Sequence, residues 1–540
     1  MSKNLLGFLL RGVVTRRISR KETVKVRSFS LSTARFRMVD LKVDLTAPNG
    51  RKITLPTGLF IDNEFVKGNG ESITSINPAN EKEIATVSGA SAEDVDTAVK
   101  AARKAFNDPS WRDLPPTDRG RLMYKLADLI EGKKEDLATL ETWDNGKPYA
   151  VSLSEDLGEV VNTIRYYAGY ADKLHGQTIP TTPGMKFAYT LRQPIGVCAQ
   201  IIPWNYPLAM AAWKLGPALA CGNTVVLKPA EQTPLSILLL ASLIPEAGFP
   251  PGVVNVVNGY GRVAGHALAS HLDVDKIAFT GSTVTGKQIM KTASVNMKNI
   301  TLETGGKSPL LVFEDADMDQ ATKWAHLGIM SNQGQICTAT SRILVQDTVM
   351  DKFLAQFKEV IASTSKVGDP FAEDTYQGPQ VTKAQYEKVL SYIESGKSEG
   401  ATLARGGTPN TKINSDGKGF FIEPTVFTDV TETMKIYTEE IFGPFCVVVP
   451  FKTEEDALRL ANNTQYGLGS AVFTQDINRA HRVAERLEAG MVWINSSQDS
   501  DFRVPFGGVK QSGIGRELGE AGLAAYSQIK AVHVNLGLRL

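Results

Sequence analysis

The segment Ile195-Gly-Val-Cys-Ala-Gln-Ile-Ile202 begins the part of the sequence that decides the fold. It is a short apolar run, and three more such runs follow, each separated from the next by a stretch with helical spacing of apolar residues. The runs are Ile195–Ile202, Thr224–Leu227, Val253–Val257 and Ile277–Phe279, and the helical stretches are 207–220, 233–244, 263–270 and 284–293. Short strands that alternate with helices of about ten residues are typical of βαβ units. The region from Pro194 to Glu303 is therefore predicted to form a parallel sheet.

The sequence on both sides of this region is also predicted to be α/β. Ser91 starts the stretch SAEDVDTAVKAARKAF, with Asp94 three residues later as in a capping box, and apolar residues follow at helical spacing. Helical patterns continue over Arg119–Leu140 and Leu157–Tyr170. A second alternation of strands and helices runs from Pro309 to about Val472. At 540 residues, the chain is expected to form two or more domains.

Composition excludes several classes of function. The 59 basic and 58 acidic residues leave a net charge of +1, whereas nucleic-acid binding usually requires a strongly basic domain. The longest apolar stretches, such as Ile237–Ile244, are far shorter than the roughly 20 residues that span a bilayer, so no membrane association is expected. The four cysteines lie far apart and no H-E-x-x-H occurs, so neither a disulfide framework nor a metal site is predicted.

The first 37 residues differ from the rest of the chain. They contain ten basic residues and one acidic residue, Glu22, with leucines spaced along one helical face and several hydroxyl residues near Ser28. An amphipathic, Arg-rich and acid-poor start is typical of a mitochondrial transit peptide, which predicts a location in the mitochondrial matrix. The alternative is a basic extension upstream of a true start at Met38, which would give a cytoplasmic enzyme.

Three local patterns suggest chemistry. The segment from Asn258 to Gly265 reads G-x-G-x-x-x-G, a weak nucleotide-binding signal, since a plain glycine turn between strand and helix fits it equally well. Cys337 follows the polar segment Ser-Asn-Gln-Gly-Gln-Ile, which is unsuited to a core strand, although a lone cysteine is most often a small buried hydrophobe. Glu303 ends a predicted strand and enters a Gly-Gly turn. A thiol and a carboxylate are the nucleophile and base that acyl chemistry requires.

Together these segments closely resemble the aldehyde dehydrogenase superfamily, in particular its general fungal and mitochondrial-type members. The resemblance covers the chain from about Leu59 to Ser527, and the motifs occur in the order that the family has. They are Pro203-Trp-Asn-Tyr-Pro207, Lys228-Pro-Ala-Glu231, Phe279-Thr-Gly-Ser282, Leu302-Glu-Thr-Gly-Gly-Lys307, Gly334-Gln-Ile-Cys337, Glu440-Ile-Phe-Gly-Pro444 and Pro505-Phe-Gly-Gly508.

The resemblance implies an activity and a mechanism. The enzyme would oxidise an aldehyde to a carboxylic acid, with Cys337 as the nucleophile that forms a thiohemiacetal and then a thioester. The Asn205 side chain and the Cys337 backbone N–H would stabilise the oxyanion, which is typically worth about 3–4 kcal/mol per donor. Glu303 would activate the hydrolytic water. Lys214 resembles a family lysine that orients polar groups as a buried cation.

The resemblance also implies an NAD site. Lys228 and Glu231 would hold the adenosine ribose, and the Glu231 carboxylate would favour NAD over NADP by repelling the 2′-phosphate. Further contacts would involve Ser282 with the pyrophosphate, Glu440 with the nicotinamide ribose and Phe442 with the ring. The full set of expected cofactor residues is Ile201, Pro203, Trp204, Lys228, Glu231, Gly261, Gly265, Phe279, Gly281, Ser282, Glu440 and Phe442. For Trp204 and Phe442 the alternative is ordinary core packing, and for Glu231 it is a solvent-facing side chain.

The fold implied is that of the family: a Rossmann-like cofactor domain with a parallel sheet, a second α/β catalytic domain and a small β element for oligomerisation. The expected limits are 45–175 and 195–306 for the NAD-binding domain, 307–510 for the catalytic domain, and 176–194 with 511–540 for the oligomerisation element. The last element predicts a homodimer or homotetramer.

Some positions depart from the family pattern, and two rival functions remain. Thr304 stands where the family usually has Leu, Ile336 precedes the cysteine where some relatives have another Cys, and the tunnel segment Ser496–Val504 is unusually polar. The aldehyde is therefore not identified. One rival is a CoA-acylating semialdehyde dehydrogenase, which generally lacks the glutamate at the position of Glu303. The other is a non-catalytic structural protein on the same fold, for which loss of the three catalytic side chains would be expected.

Overall fold

The computed structural model describes residues 41–540. The prediction of a transit peptide over residues 1–37 lies outside the described residues. Within residues 41–540, no helix is long and apolar enough to cross a bilayer.

The described chain alternates strands and helices along most of its length. The strands are β1 Lys42–Thr46, β2 Lys52–Pro56, β3 Leu59–Ile61, β4 Glu64–Val66, β5 Gly70–Ile76, β6 Glu83–Gly89, β7 Thr178–Pro180, β8 Lys186–Pro194, β9 Val197–Ile201, β10 Thr224–Lys228, β11 Val254–Val256, β12 Lys276–Thr280, β13 Asn299–Glu303, β14 Pro309–Val312, β15 Arg342–Gln346, β16 Thr402–Arg405, β17 Thr425–Thr428, β18 Phe445–Phe451, β19 Gly469–Phe473, β20 Met491–Ile494, β21 Gly513–Ile514 and β22 Ser527–Asn535.

The helices surround these strands. They are α1 Ala92–Asn107, α2 Pro109–Arg112, α3 Pro116–Gly132, α4 Lys134–Asn145, α5 Tyr149–Val151, α6 Leu157–Tyr170, α7 Pro207–Ala220, α8 Leu235–Ala247, α9 His266–Ser270, α10 Thr283–Ala293, α11 Met318–Met330, α12 Met350–Thr364, α13 Lys383–Ser398, α14 Lys435–Thr438, α15 Glu454–Asn462, α16 Ile477–Arg486 and α17 Gly519–Ala525. Single turns of π- or 3-10 helix occur at Ser152–Asp156, Gly261–Gly265, Ser294–Asn296, Ser331–Gly334, Asp347–Val349 and Lys510–Ser512.

The parallel sheet predicted from the apolar runs is the centre of an eight-stranded sheet with the order β21-β13-β12-β9-β10-β11-β3-β4. Strands β13, β12, β9, β10 and β11 are parallel, and the strands outside them pair antiparallel. Every residue of β9, β10 and β12 is buried. Burial on both faces explains why these strands are continuous apolar runs.

The helices predicted at Leu157–Tyr170 and 207–220 occur with those limits, and other predicted helices occur with shifted ones. The Ser91 hydroxyl accepts a hydrogen bond from the Asp94 N–H, and the Asp94 carboxylate accepts one from the Ser91 N–H, so the expected capping box starts α1. The single pattern over residues 119–140 is two helices, because the chain leaves the helix at Lys133. The pattern over residues 263–270 is a π turn followed by α9, and the turn contains both expected cofactor glycines, Gly261 and Gly265.

The second α/β pattern forms a seven-stranded sheet with the order β16-β17-β18-β15-β14-β19-β20. All its pairs are parallel except β16 with β17 at one edge. Apolar clusters cover both of its faces.

The C-terminal strand and the expected hairpin form a third sheet with the order β22-β8-β7. Strand β22 pairs with β8 over nine residues, from Ser527 opposite Pro194 to Asn535 opposite Lys186. Exposed apolar side chains occur on this sheet, among them Leu191 and Ile529. Its role in assembly and the domain limits stay predictions.

The parallel topology places several chain segments at one edge. Strands β9, β10, β12 and β13 end at Ile201, Lys228, Thr280 and Glu303, and the carboxyl ends of neighbouring parallel strands meet at the same edge of a sheet. Ligands of open α/β sheets bind outside this edge. The loop that carries Cys337 precedes β15 of the second sheet.

Candidate active site

A cavity of about 830 Å³ is lined by Cys337, Glu303 and Asn205. These three side chains come from the loop before β15, the end of β13 and the loop after β9. The structure therefore brings together the three residues that were predicted to do the chemistry, although they span 133 positions of the sequence, from 205 to 337.

The backbone that presents Cys337 is a tight turn. Asn332, Gln333 and Gly334 all have positive φ angles, and a Cβ on Gly334 would lie 1.9 Å from the carbonyl oxygen of Gly443. Only glycine fits at position 334, because any side chain would collide with backbone there. The glycine of the motif is thus needed to hold the loop against the chain that follows Glu440.

The thiol of Cys337 is half-buried, and its environment disfavours the thiolate. Burial, followed by the negative charges of Glu303 and Glu440, raises the pKa of Cys337 to about 12. Backbone N–H groups at Thr338 and at the cysteine itself act in the opposite direction. The neutral thiol is therefore the resting form, and nucleophilic attack requires a group that accepts its proton.

Glu303 is the buried carboxyl that was predicted to act as the base. It is 2% exposed, and neither carboxylate oxygen accepts a hydrogen bond within residues 41–540. Burial, followed by the charge of Glu517, raises its pKa well above the usual range, and Lys214 and Arg516 oppose the shift. Gly507 faces this carboxylate, since a Cβ there would be 2.7 Å from Glu303 Oε1. A buried carboxyl with an unused pair of oxygens is suited to proton transfer.

Asn205 is held by several partners. Its Nδ2 donates to the Gln335 carbonyl at 2.9 Å, and its own carbonyl accepts from the side chains of Asn145 and Asn332. An amide nitrogen carries two hydrogens, so this contact leaves one N–H for a ligand in the cavity.

Lys214 lies behind the cavity wall. Its Nζ donates to Thr280 Oγ1 at 2.7 Å and to Glu517 Oε1 at 2.5 Å, and both charged side chains are buried. Glu517 lines the cavity, whereas Lys214 does not. Lys214 therefore does not face the cavity itself but contacts Glu517, which does.

Six of the twelve expected cofactor residues line the same cavity. These are Pro203, Trp204, Gly281, Ser282, Glu440 and Phe442. The rings of Trp204 and Phe442 meet edge to face, with centroids 5.3 Å apart. Both side chains therefore line the cavity and also pack against each other, so they combine the predicted cofactor position with the alternative of ordinary packing.

The other six lie outside the cavity lining and are Ile201, Lys228, Glu231, Gly261, Gly265 and Phe279. They are nonetheless neighbours at the carboxyl edge of the first sheet. Ile201 pairs with Lys228 on one side and with Phe279 on the other. Gly265 packs against the Lys228 side chain, since a Cβ there would be 3.9 Å from it.

The Lys228 ammonium is buried, which lowers its pKa, and it donates to the Pro229 carbonyl at 2.8 Å and to Glu231 Oε2 at 3.3 Å. The Glu231 side chain is 31% exposed. The side chain is therefore partly buried, and one of its carboxylate oxygens accepts a hydrogen bond from Lys228.

The Gly-Gly turn after Glu303 accommodates Glu440. Glu440 Oε1 accepts a hydrogen bond from the Gly306 N–H at 3.0 Å, and a Cβ on Gly305 would lie 2.3 Å from Oε2. Lys307 donates to the carbonyls of Ile436 and Glu439 and so fixes the segment that carries Glu440. Glycine at position 305 is needed because the carboxylate approaches the backbone itself.

Comparison with known proteins identifies the family. Residues 65–532 match the sequence profile described as "Aldehyde dehydrogenase family". The chain belongs to the aldehyde dehydrogenase family. It is 55% identical to an aldehyde dehydrogenase of Aspergillus niger over 93% of this chain and 99% of that protein. It is 52% identical to "Aldehyde dehydrogenase [NAD(P)+] 1" of Saccharomyces cerevisiae, over 93% of this chain and 100% of that protein.

A solved relative gives the same fold. The NAD+ complex of a Bacillus cereus aldehyde dehydrogenase superposes with a TM-score of 0.87 at 50% identity, over 89% of this chain and 97% of that chain. The predicted family, the α/β fold and the oxidoreductase class are thereby confirmed. The expected nicotinamide cofactor agrees with the ligand of this relative.

Sequence reasoning missed several residues that line the cavity of this aldehyde dehydrogenase. Glu517 was missed because its partner, Lys214, is 303 positions away and no local motif marks it. The cavity is also lined by two glutamates, Glu155 just before α6 and Glu159 within it. Two tryptophans line it as well, Trp324 of α11 and Trp493 of β20. The sequence feature that could have pointed to Glu159 was a carboxylate within the helical pattern of apolar residues over 157–170.

Proposed function

We propose that the chain oxidises an aldehyde to a carboxylic acid with NAD as the hydride acceptor and Cys337 as the covalent nucleophile. The observation that carries this proposal is the convergence of Cys337, Glu303 and Asn205 on one cavity. A non-catalytic protein on this fold would have no need to keep all three, and it would not leave a buried carboxylate without hydrogen bonds.

Catalysis begins with the sulfur of Cys337, which bonds to the aldehyde carbon. Because the thiol is the resting form, its proton passes to Glu303, which is the first of the two carboxylates whose charge raises the pKa of Cys337. The aldehyde oxygen becomes an oxyanion, which accepts hydrogen bonds from Asn205 Nδ2 and from the Cys337 N–H. Each such donor is typically worth about 3–4 kcal/mol of barrier.

The residues at the sheet edge fit NAD. The N-terminus of α10, an eleven-residue helix that begins after Ser282, provides N–H groups for a pyrophosphate, and Glu440 and Glu231 provide carboxylates for ribose hydroxyls. Lys228 adds a buried cation beside them. When bound, NAD would supply the hydride acceptor, taking one proton and two electrons from the substrate carbon held on Cys337.

Glu303 then completes the turnover. Once Glu303 has released the proton of Cys337 to solvent, its carboxylate orients a water and takes a proton from it, so that the water oxygen adds to the thioester carbon, the carbon–sulfur bond breaks and the sulfur leaves as a thiolate, which regains a proton. The acid leaves and Cys337 is regenerated. A CoA-acylating enzyme would hand the acyl group to an external thiol and has no use for this base, so the presence of Glu303 favours hydrolysis.

The remaining parts of the proposal rest on the sequence. Residues 1–37 act as a transit peptide that directs the enzyme to the mitochondrial matrix, with synthesis from Met38 and a cytoplasmic location as the alternative. Residues 45–175 and 195–306 form the NAD-binding domain, and residues 307–510 the catalytic domain. The sheet of β7, β8 and β22 contacts a second copy, which gives a homodimer or homotetramer, and its exposed apolar residues support this role.

A panel of aliphatic and aromatic aldehydes with NAD, followed by NADH absorbance, tests the activity. We expect turnover that is abolished in Cys337→Ala and severely reduced in Cys337→Ser, because a serine hydroxyl is a far weaker nucleophile without a dedicated base. Near-wild-type turnover of Cys337→Ala would refute the covalent mechanism.

A further inference from the structure

The wall of the active-site cavity has an unusual charge. Eight carboxylate side chains line it, against one basic side chain, Lys388. Lys388 belongs to the cofactor side, because its charge acts on Glu440. The rest of the wall therefore lacks basic groups within the described chain.

Most of these carboxylates already have a role or a partner. Asp156 pairs with the buried Lys147, Glu517 with Lys214, and Asp501 with Arg503. Glu303 and Glu440 belong to the catalytic and cofactor groups. Each of these five is thus neutralised or used by the chemistry described above.

Three carboxylates remain without a cationic partner within residues 41–540: Glu155, Glu159 and Asp499. Glu159 Oε1 accepts a hydrogen bond from Trp213 Nε1 at 2.7 Å, and its other oxygen has no hydrogen bond in the structure. Glu155 and the Asp499 carboxylate have neither hydrogen bonds nor ion pairs there. Burial, followed for Glu155 by the charge of Asp156, raises the pKa of Glu155, and burial raises that of Glu159 to about 7. A bound cation would stabilise both carboxylates.

Indole rings contact two of these acidic residues, at the carboxylate of Glu159 and at the backbone of Asp499. Trp213 holds Glu159 by the bond just described, and Trp493 Nε1 donates to the Asp499 carbonyl at 2.8 Å. Both indoles line the cavity. A cation between an indole face and a carboxylate gains from both, since the ring face is negative and the interaction is strongest where water is excluded.

The same cavity is a ligand site on independent grounds. Glu303, 2% exposed, faces it with two unpartnered oxygens, and Cys337 opens into it. A substrate whose aldehyde carbon reaches Cys337 therefore occupies a cavity that these carboxylates and indoles also line.

We propose that the preferred substrates are aldehydes that carry a positively charged group, an ammonium or quaternary ammonium, which Glu159 and Asp499 bind beside Trp213 and Trp493. This inference rests on the proposed function and specifies its substrate class. Aldehydes with a terminal carboxylate are disfavoured, because this part of the wall offers them no basic partner. The polar segment Ser496–Val504 thus has a role in selecting substrate charge.

Three aldehydes of equal chain length test the proposal. One has a terminal trimethylammonium group, the second is its neutral tert-butyl isostere, and the third has a terminal carboxylate. We expect kcat/KM to be at least about tenfold higher for the cation than for the isostere, as one desolvated charge contact allows, and lowest for the anion. Raising the ionic strength should reduce the ratio of cation to isostere, because salt screens the attraction.

The variants Glu159→Gln and Asp499→Asn are each expected to lower that ratio about fivefold or more, mainly through KM. Asp499 is exposed, so its replacement does not endanger folding. Glu64→Gln is the matched control: it removes one exposed charge at the start of β4, outside the cavity lining, and should leave the ratio unchanged.

A wild-type ratio near one, or a ratio that both cavity variants leave unchanged, would overturn the inference. In either case, NADH formation from the neutral isostere that disappears in Cys337→Ala would still support the proposed function. Failure of the substrate class and failure of the activity are therefore distinguishable in the same assays.

Discussion

Lys214 Nζ lies 2.5 Å from Glu517 Oε1, although the two residues are 303 positions apart in the chain. Both side chains are buried, and both act on Glu303: the negative charge of Glu517 raises the pKa of Glu303, and the positive charge of Lys214 lowers it. This ion pair therefore helps to set the pH at which the proposed base is ionised.

Replacing Glu517 by Gln is expected to move the acid limb of the kcat/KM profile to lower pH. The change removes a negative charge that raises the pKa of Glu303 and leaves the opposing charge of Lys214 in place, so both effects lower that pKa. A base with a lower pKa stays ionised at lower pH, and activity should persist there. The measurement is the pH dependence of NADH formation.

The control for this experiment is Glu520→Gln, which removes an exposed carboxylate three residues away. Glu517→Gln also leaves Lys214 buried without its partner, which typically costs about 3–5 kcal/mol of unfolding free energy. Denaturant unfolding should therefore accompany the kinetics. An acid limb that stays in place, or moves to higher pH, would contradict the electrostatic role of the pair.

Replacing Glu303 by Gln separates its two proposed roles. If Glu303 acts mainly on the hydrolytic water, the variant should release one equivalent of NADH in a burst and then stop as an acyl-enzyme, which intact mass spectrometry detects. If the burst is lost, Glu303 is also required to accept the proton of Cys337, as the raised pKa of that thiol implies. Unchanged steady-state turnover would refute both roles.

Replacing Glu231 by Gln is expected to weaken the preference for NAD over NADP. An ionised carboxylate repels the 2′-phosphate, with a cost of roughly 4 kcal/mol per pair of unit charges at about 4 Å and an effective dielectric near 20. Lys228, which lies 3.3 Å from Glu231, and the 31% exposure of the side chain both reduce this cost, so we expect preference and not exclusion.

The measurement is the ratio of kcat/KM for the two cofactors. Glu246→Gln serves as control, because it removes an exposed carboxylate of α8 away from the β10 edge. Equal use of both cofactors by the wild type, or a ratio that Glu231→Gln does not change, would show that another group discriminates.

Fusing residues 1–37 to a fluorescent reporter tests the targeting prediction. The ten basic residues and single acidic residue of this segment are expected to direct the reporter to mitochondria. The control replaces Arg11, Arg16 and Arg17 by Gln, which keeps the leucines and removes three of the ten positive charges, and it should weaken targeting. A diffuse cytosolic signal from the unaltered fusion would favour synthesis from Met38.

Much of the fold could be predicted because strands and helices depend on local spacing. The apolar runs at Ile195–Ile202 and Thr224–Leu227 become β9 and β10, since a strand buried on both faces must be apolar throughout. The capping box at Ser91 and Asp94 is equally local. Limits were less accurate where a helix was interrupted, as at Lys133, because one residue outside helical geometry leaves the apolar spacing nearly unchanged.

The sequence by itself determined the family and predicted the catalytic residues, because Cys337, Glu303 and Asn205 each lie in a motif that resembles those of the aldehyde dehydrogenases. The need for glycine at position 334 is visible only in the fold, where the carbonyl oxygen of Gly443 would lie 1.9 Å from any Cβ. Only the tertiary structure decided which distant charges meet. Glu517 contacts Lys214, and Glu159 and Asp499 line one cavity, through chain folding over hundreds of residues. Electrostatic effects depend on distance in space and on burial, neither of which spacing along the chain encodes.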